Sequence, residues 1–149
     1  MLSDLILEHK GRAASTRILD ADSQRIEITV TARGKVRGSF DVSIVITYWN
    51  KPISSNDHGA NSQYYYGEGK GIISLLGDGA DTATVTEYGI GKSNGQKTMW
   101  RGSAFYRTAT SSLTSSGGKL AFLNNIAGVF ETEVDNVSSD VIEKVWEWK

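Results

Sequence analysis

Apolar and polar residues alternate along most of this chain, the period of a β-strand with one buried face. In residues 25–32, Ile26, Ile28 and Val30 share one face while Glu27, Thr29 and Thr31 share the other. From 36 to 49, Val36, Gly38, Phe40, Val42, Ile44, Ile46 and Tyr48 alternate with Arg37, Ser39, Asp41, Ser43, Val45, Thr47 and Trp49. A slip of one residue there would move the whole apolar set into water, so the pairing register is strongly specified. The same pattern predicts further strands over 10–19, 62–75, 82–91, 98–108, 126–135 and 141–148. Turn chemistry separates them: Asp20 to Ser23, Gly34, Gly77-Asp78-Gly79, Ser93-Asn94-Gly95 and a turn near Asn136. Residues 50–61 read as a polar loop, with Lys51-Pro52 and Asn56-Asp57-His58-Gly59 as its turns, and 110–119 as a Ser/Thr/Gly-rich loop. At most one short helical turn is expected, over 119–124.

Eight antiparallel strands joined mainly by hairpins favour closure, because a barrel removes both exposed sheet edges. The expected fold is all-β, one closed eight-stranded antiparallel β-barrel over 1–149, with a two-sheet sandwich as the alternative. An interior of this size is filled by side chains or holds one small ligand.

Composition narrows the chemistry. The chain has 149 residues, 39% hydrophobic and 22% charged, enough to bury a core without metal or disulfides. Cysteine is absent, which excludes disulfides, thiolate metal sites and cysteine nucleophiles. Sixteen Lys and Arg against seventeen Asp and Glu give a net charge of −1, so no electrostatic drive toward nucleic acid or a membrane surface is present. The apolar run Leu5-Ile6-Leu7 is broken by Asp4 and Glu8, and no stretch approaches the ~20 apolar residues of a membrane helix. A soluble cytoplasmic protein is expected. The two histidines, His9 and His58, are far apart in sequence, so no metal site and no cofactor are expected.

Gly67, Gly69 and Gly71 fall on one strand face, followed by the continuing strand Ile72-Ile73-Ser74-Leu75 and not by the helix a phosphate loop requires. Their use is structural: they let a strand coil sharply or let a bulky ring lie against it. Gly89 and Gly91 fit the same account, as seats for rings such as Trp100 or Tyr106. Glu68, Glu87, Glu131 and Glu133 lie within strands, with Arg101 and Arg107 as available partners. A carboxylate inside the barrel must be paired, whereas one outside forms a cross-strand ion pair with its neighbour. Alternation leaves open which face of these strands is inside. Among the aromatics, Trp146 and Trp148 share one face of the last strand, which either plugs the barrel or packs on a neighbouring subunit.

Four segments carry a resemblance: Tyr65-Tyr66-Gly67-Glu68-Gly69-Lys70-Gly71, Tyr88-Gly89-Ile90-Gly91, the run from Trp100 to Thr108, and the C-terminal pair Gly128 to Asp135 with Lys144 to Lys149. Together they resemble small proteins, largely of unassigned function, that are similar to the allene oxide cyclase and calycin barrels. The resemblance implies a closed eight-stranded barrel, assembled as a dimer or trimer, with a lipophilic small molecule or nothing in the lumen. The cyclase pocket combines a glutamate, an asparagine and a cysteine; this chain has no cysteine, and no catalytic residue carries over. Three functions follow as expectations. The first is a binding barrel for a small hydrophobic ligand, with Tyr66, Glu68, Trp100, Arg101, Tyr106, Glu131 and Trp146 as the ligand-binding set. The second is a cyclase or isomerase with Glu68 or Glu131 as acid/base catalyst. The third is a structural barrel that forms homo-oligomers and holds no ligand.

Overall fold

The computed structural model describes residues 2–53, 62–108 and 118–149. Its strands are β1 (Leu2–Asp20), β2 (Arg25–Val36), β3 (Phe40–Ile53), β4 (Gln63–Leu75), β5 (Asp78–Ser93), β6 (Lys97–Thr108), β7 (Ile126–Asp135) and β8 (Asp140–Trp148). Each pairs antiparallel with its neighbours in sequence, and β1 pairs with β8 to close an eight-stranded barrel. The seam runs without interruption from Leu7 opposite Val145 to Arg12 opposite Asp140.

Several strand boundaries differ from the alternation pattern: Lys51 and Pro52, expected in a loop turn, continue β3 to Ile53, and β5 already starts at Asp78, inside the expected 77–79 turn. β1 begins at Leu2, well before residue 10. Leu7 and His9 continue the inward phase of Gly11 and Ala13, and a bulge between Leu5 and Leu7 turns both Ile6 and Leu7 inward. The segment 36–49 is not one strand: Val36 ends β2, Phe40 begins β3, and the two are paired across a tight turn. Arg37 and Gly38 take φ of 49° and 69° there, and the Ser39 N–H donates to the Val36 carbonyl. Gly34 is mid-strand instead of a turn, because a Cβ at that position would lie 2.1 Å from the Glu8 carbonyl oxygen. The turn at 56–59, His58 and residues 110–117 lie outside the described residues.

One end of the barrel is plugged. A 3-10 turn at Ala121–Leu123 sets Leu120 and Leu123, both fully buried, across the opening. They cover Ile6, Leu7, Val36, Val42, Ile44, Ile73, Val85 and Tyr106. Burial of each large aliphatic chain contributes about 1.5–3 kcal/mol, so this half supplies the continuous apolar core. The Leu120 N–H is received by Asp81, itself buried on β5. Outside, Val45 and Ile72 face each other across β3 and β4 and are about half exposed. Trp146 is half-buried and Trp148 exposed on the outer face of β8, out of phase with the inward Val141, Glu143 and Val145. No helix among the described residues is long and apolar enough to cross a membrane.

Candidate functional site

The other half of the lumen is open and polar at its floor. His9 on β1, Glu143 on β8 and Thr132 on β7 are direct cross-strand neighbours, so register alone aligns their inward side chains. The His9 Nε2–H donates to Glu143 Oε1 over 3.0 Å. The Thr132 hydroxyl donates to Glu143 Oε2. A second row comes from the facing wall: Tyr48 on β3, Gly69 on β4 and Glu87 on β5. Gly69 matters here because it has no side chain. The Tyr48 ring lies over it, with Cδ1 2.5 Å from where a Cβ would be, and the Tyr48 hydroxyl reaches one strand further to donate to Glu87 Oε2 at 2.9 Å.

The two rows meet across the lumen through their carboxyls. Glu87 and Glu143 act on each other's acidity, and both are essentially unexposed, at 1% and 0%. Two carboxylates are both acceptors, so this contact requires one of them to keep its proton. Glu143 is saturated with donors. Burial works to raise it, but the His9 and Thr132 hydrogen bonds, the His9 ring and Glu87 outweigh that and hold it below the ordinary carboxyl range. Burial and the Glu143 charge push Glu87 well above that range. Glu87 therefore holds the proton, and its Oε1, which meets no protein donor, is the atom left to carry it. Burial, with the charges of the two glutamates, also raises the hydroxyls of Tyr48 and Tyr106 far above ordinary phenol values, so both remain protonated. The Tyr106 hydroxyl has no partner among the described residues.

Above the ordinary glutamate value of 4.5 the unfolded chain has lost this proton while folded Glu87 keeps it. The native state then binds more protons, and wild-type stability falls as pH rises until Glu87 itself ionises. In Glu87→Gln the amide donates to Glu143 and accepts from Tyr48 as the protonated acid does, and it does not titrate. The variant is expected to gain on the wild type by up to about 1.4 kcal/mol per pH unit above mildly acidic pH. Urea unfolding of both proteins across neutral and alkaline pH checks this; a pH-independent difference would contradict a proton on Glu87.

Above this floor is a cavity of about 230 Å³. Its walls include Ile28, Val30, Trp100, Phe130, Val134 and Val141, with Tyr48, Glu87 and Thr132 on the floor and Asn50, Asp135, Asn136 and Ser139 among the polar lining residues. Glycines make the room. The Trp100 ring lies against Gly67 and Gly91, where added Cβ atoms would come within 2.9 and 2.7 Å of it, and Phe130 lies against Gly89. No group of three or more His, Asp or Glu side chains among the described residues is arranged to hold a metal ion.

Of the residues singled out from sequence, Trp100 lines the cavity and Tyr106 is buried beneath it in the core. The other five are on the outer face. Glu68 accepts a hydrogen bond from the Tyr66 hydroxyl at 2.8 Å on its own strand. Arg101 and Glu131 form an exposed cross-strand ion pair at 3.2 Å. Glu133 pairs likewise with Lys97. Trp146 also lies outside. Glu143 and His9 were not among the candidates, although Val141-Glu143-Val145 and Leu7-His9-Gly11 place each in the inward phase of its strand.

The barrel is similar to the crystal structure of the conserved protein of unknown function RPA1785 from Rhodopseudomonas palustris, with a TM-score of 0.63 over 99% of this chain and 97% of that one. At 11% identity the likeness is one of fold. No family model matches the chain. No curated protein matches it either.

Proposed function

We propose that this protein binds a small, mostly apolar molecule in the open half of its barrel. The observation that carries this reading is the cavity of about 230 Å³, walled by aliphatic and aromatic side chains over a floor of Tyr48, Glu87 and Thr132. An apolar space with a few convergent polar groups and a perturbed carboxyl is the usual form of a ligand site. The volume suits a compact one- or two-ring molecule and not a long lipid chain. The glycines at 67, 69, 89 and 91 add support, since they let the Trp100, Tyr48 and Phe130 rings lie back against the strands instead of projecting further into the lumen. Glu68 and Glu131 lie outside the lumen, so the binding reading does not use them.

The test is titration with prodan, an uncharged two-ring fluorophore that brightens in apolar surroundings. The wild type is expected to bind it with micromolar affinity, on the order of −8 kcal/mol. Val30→Trp, which puts an indole into the cavity, is expected to lose at least about tenfold in affinity. Equal binding by both proteins, or none by the wild type, would remove the reading.

A further inference from the structure

Acidic side chains predominate in the lumen. Among the described residues the buried ionisable side chains, tyrosines aside, are His9, Asp81, Glu87 and Glu143, with no Lys or Arg. His9 is committed to Glu143. Asp81 is committed to the Leu120 N–H at the plugged end. Asp135 lines the cavity as well, and the Ser138 and Val137 backbone N–H groups hold it below the ordinary carboxyl range. A carboxylate or phosphate ligand entering this space meets Asp135 and Glu87, and finds no lysine or arginine in the lining to receive it.

The floor's exchangeable hydrogen is the proton between the two carboxyls. Glu143 has one donor on each oxygen. Glu87 has Tyr48 on Oε2 and no protein donor on Oε1, though it is 1% exposed and lines the cavity. The hydrogen at that oxygen is the carboxyl's own proton, turned to Glu143, and a ligand N–H can take its place. The aromatic walls favour one kind. Trp100 rests on glycine backbone and also lines the cavity, with Phe130 and Tyr48 nearby in the lining, and ring faces attract cations.

We propose that the lumen takes an organic amine, its ammonium hydrogen-bonded to Glu87 and its apolar body against Trp100 and Phe130. This rests on the lumen-binding reading and names the ligand class. The proton balance is defined. The amine arrives from neutral water already protonated on nitrogen. Its N–H takes the place of the proton that Glu87 shares with Glu143, and that proton leaves to solvent. The groups that face Glu87 are Tyr48 from β3, Tyr106 from β6 and Glu143 from β8, with His9 of β1 behind Glu143; both tyrosines stay protonated throughout.

The experiment compares three probes with one body: phenylbutylamine, phenylbutanol and phenylbutyrate. Calorimetry is run at neutral pH in two buffers of different ionisation enthalpy. Phenylbutylamine is expected to bind about tenfold tighter than phenylbutanol, and phenylbutyrate weakest. Amine binding is expected to release roughly one proton, read from the difference in heat between buffers. In Glu87→Gln, amine and alcohol are expected within about threefold of each other. If the alcohol binds as well as the amine, the amine assignment falls while lumen binding stands. An amine preference that survives Glu87→Gln places the ammonium elsewhere and also overturns it. If no probe binds, both readings fall. The wild-type comparison and proton count decide the matter even if the variant does not fold.

Discussion

Glu143→Ala is expected to lower the unfolding free energy by about 3–5 kcal/mol, with a fall in Tm on the order of 10 °C. Glu143 is fully buried and receives donors from His9, Thr132 and Glu87. Truncation strands all three inside the barrel. Each unsatisfied buried group costs about 1–3 kcal/mol, more if charged, and the cavity left behind adds to that. The loss is expected to shrink in acid. Glu143 is held below its ordinary value in the folded state, so its contribution is present above that value and lost as pH falls through the folded one. Replacing both partners, as in His9→Leu with Glu143→Met, is expected to cost less than the sum of the single changes, because no lone charge is then left buried. Urea melts of the single and double variants measure this directly. A Glu143→Ala protein within about 1 kcal/mol of wild type would mean that the glutamate is not buried among its donors.

Gly69→Val is expected to cost about 3–5 kcal/mol for a different reason. A Cβ there would sit 2.5 Å from the Tyr48 ring and 3.4 Å from an Ile46 methyl, and valine adds two further carbons. The ring is tied at its far end to Glu87, so it has no easy retreat. Moving it breaks the hydrogen bond across β4 and leaves both the Tyr48 hydroxyl and the Glu87 Oε2 without a partner. The overpacking contributes about 1–3 kcal/mol and the stranded groups a similar amount. Gly79→Val is the matched control: nothing lies within 4 Å of its added Cβ, and its effect is expected within about 0.5 kcal/mol of zero. Denaturant unfolding of the pair separates a steric role at Gly69 from a general cost of valine. Equal effects would show that the Tyr48–Glu87 reach does not depend on that gap.

These predictions concern residues that differ in how legible they are in the sequence. Strand existence was readable because the period of a pleated strand is local. Val42, Ile44 and Ile46 announce an inward face by themselves, and the closed barrel follows from eight such segments and their hairpins. The glycine seats were readable in kind, since inward glycines on adjacent strands ask for something bulky. Trp100 occupies those at Gly67 and Gly91, Tyr48 the one at Gly69, and Phe130 the one at Gly89, for which the sequence suggests Trp100 or Tyr106. Boundaries were less legible. Gly34 looks like a turn, but a close approach of backbones needs glycine as much as a turn does.

The amino-acid order by itself determined the fold class, the phase of most strands and the absence of cysteine chemistry, because each depends on residues near one another in the chain. Only the closed barrel decided which carboxyls are inside. Glu87 shares the phase of Gly89 and Gly91 while Glu68 alternates with Gly67 and Gly69, but local pattern does not say whether the glycine face is the lumen face. Closure then set β5 across from β8, so that Glu87 and Glu143 share a proton at the axis, with His9 brought to Glu143 by the seam between β1 and β8. The acidity of a buried carboxyl is set by what stands around it in space, and those neighbours come from strands far apart in the chain.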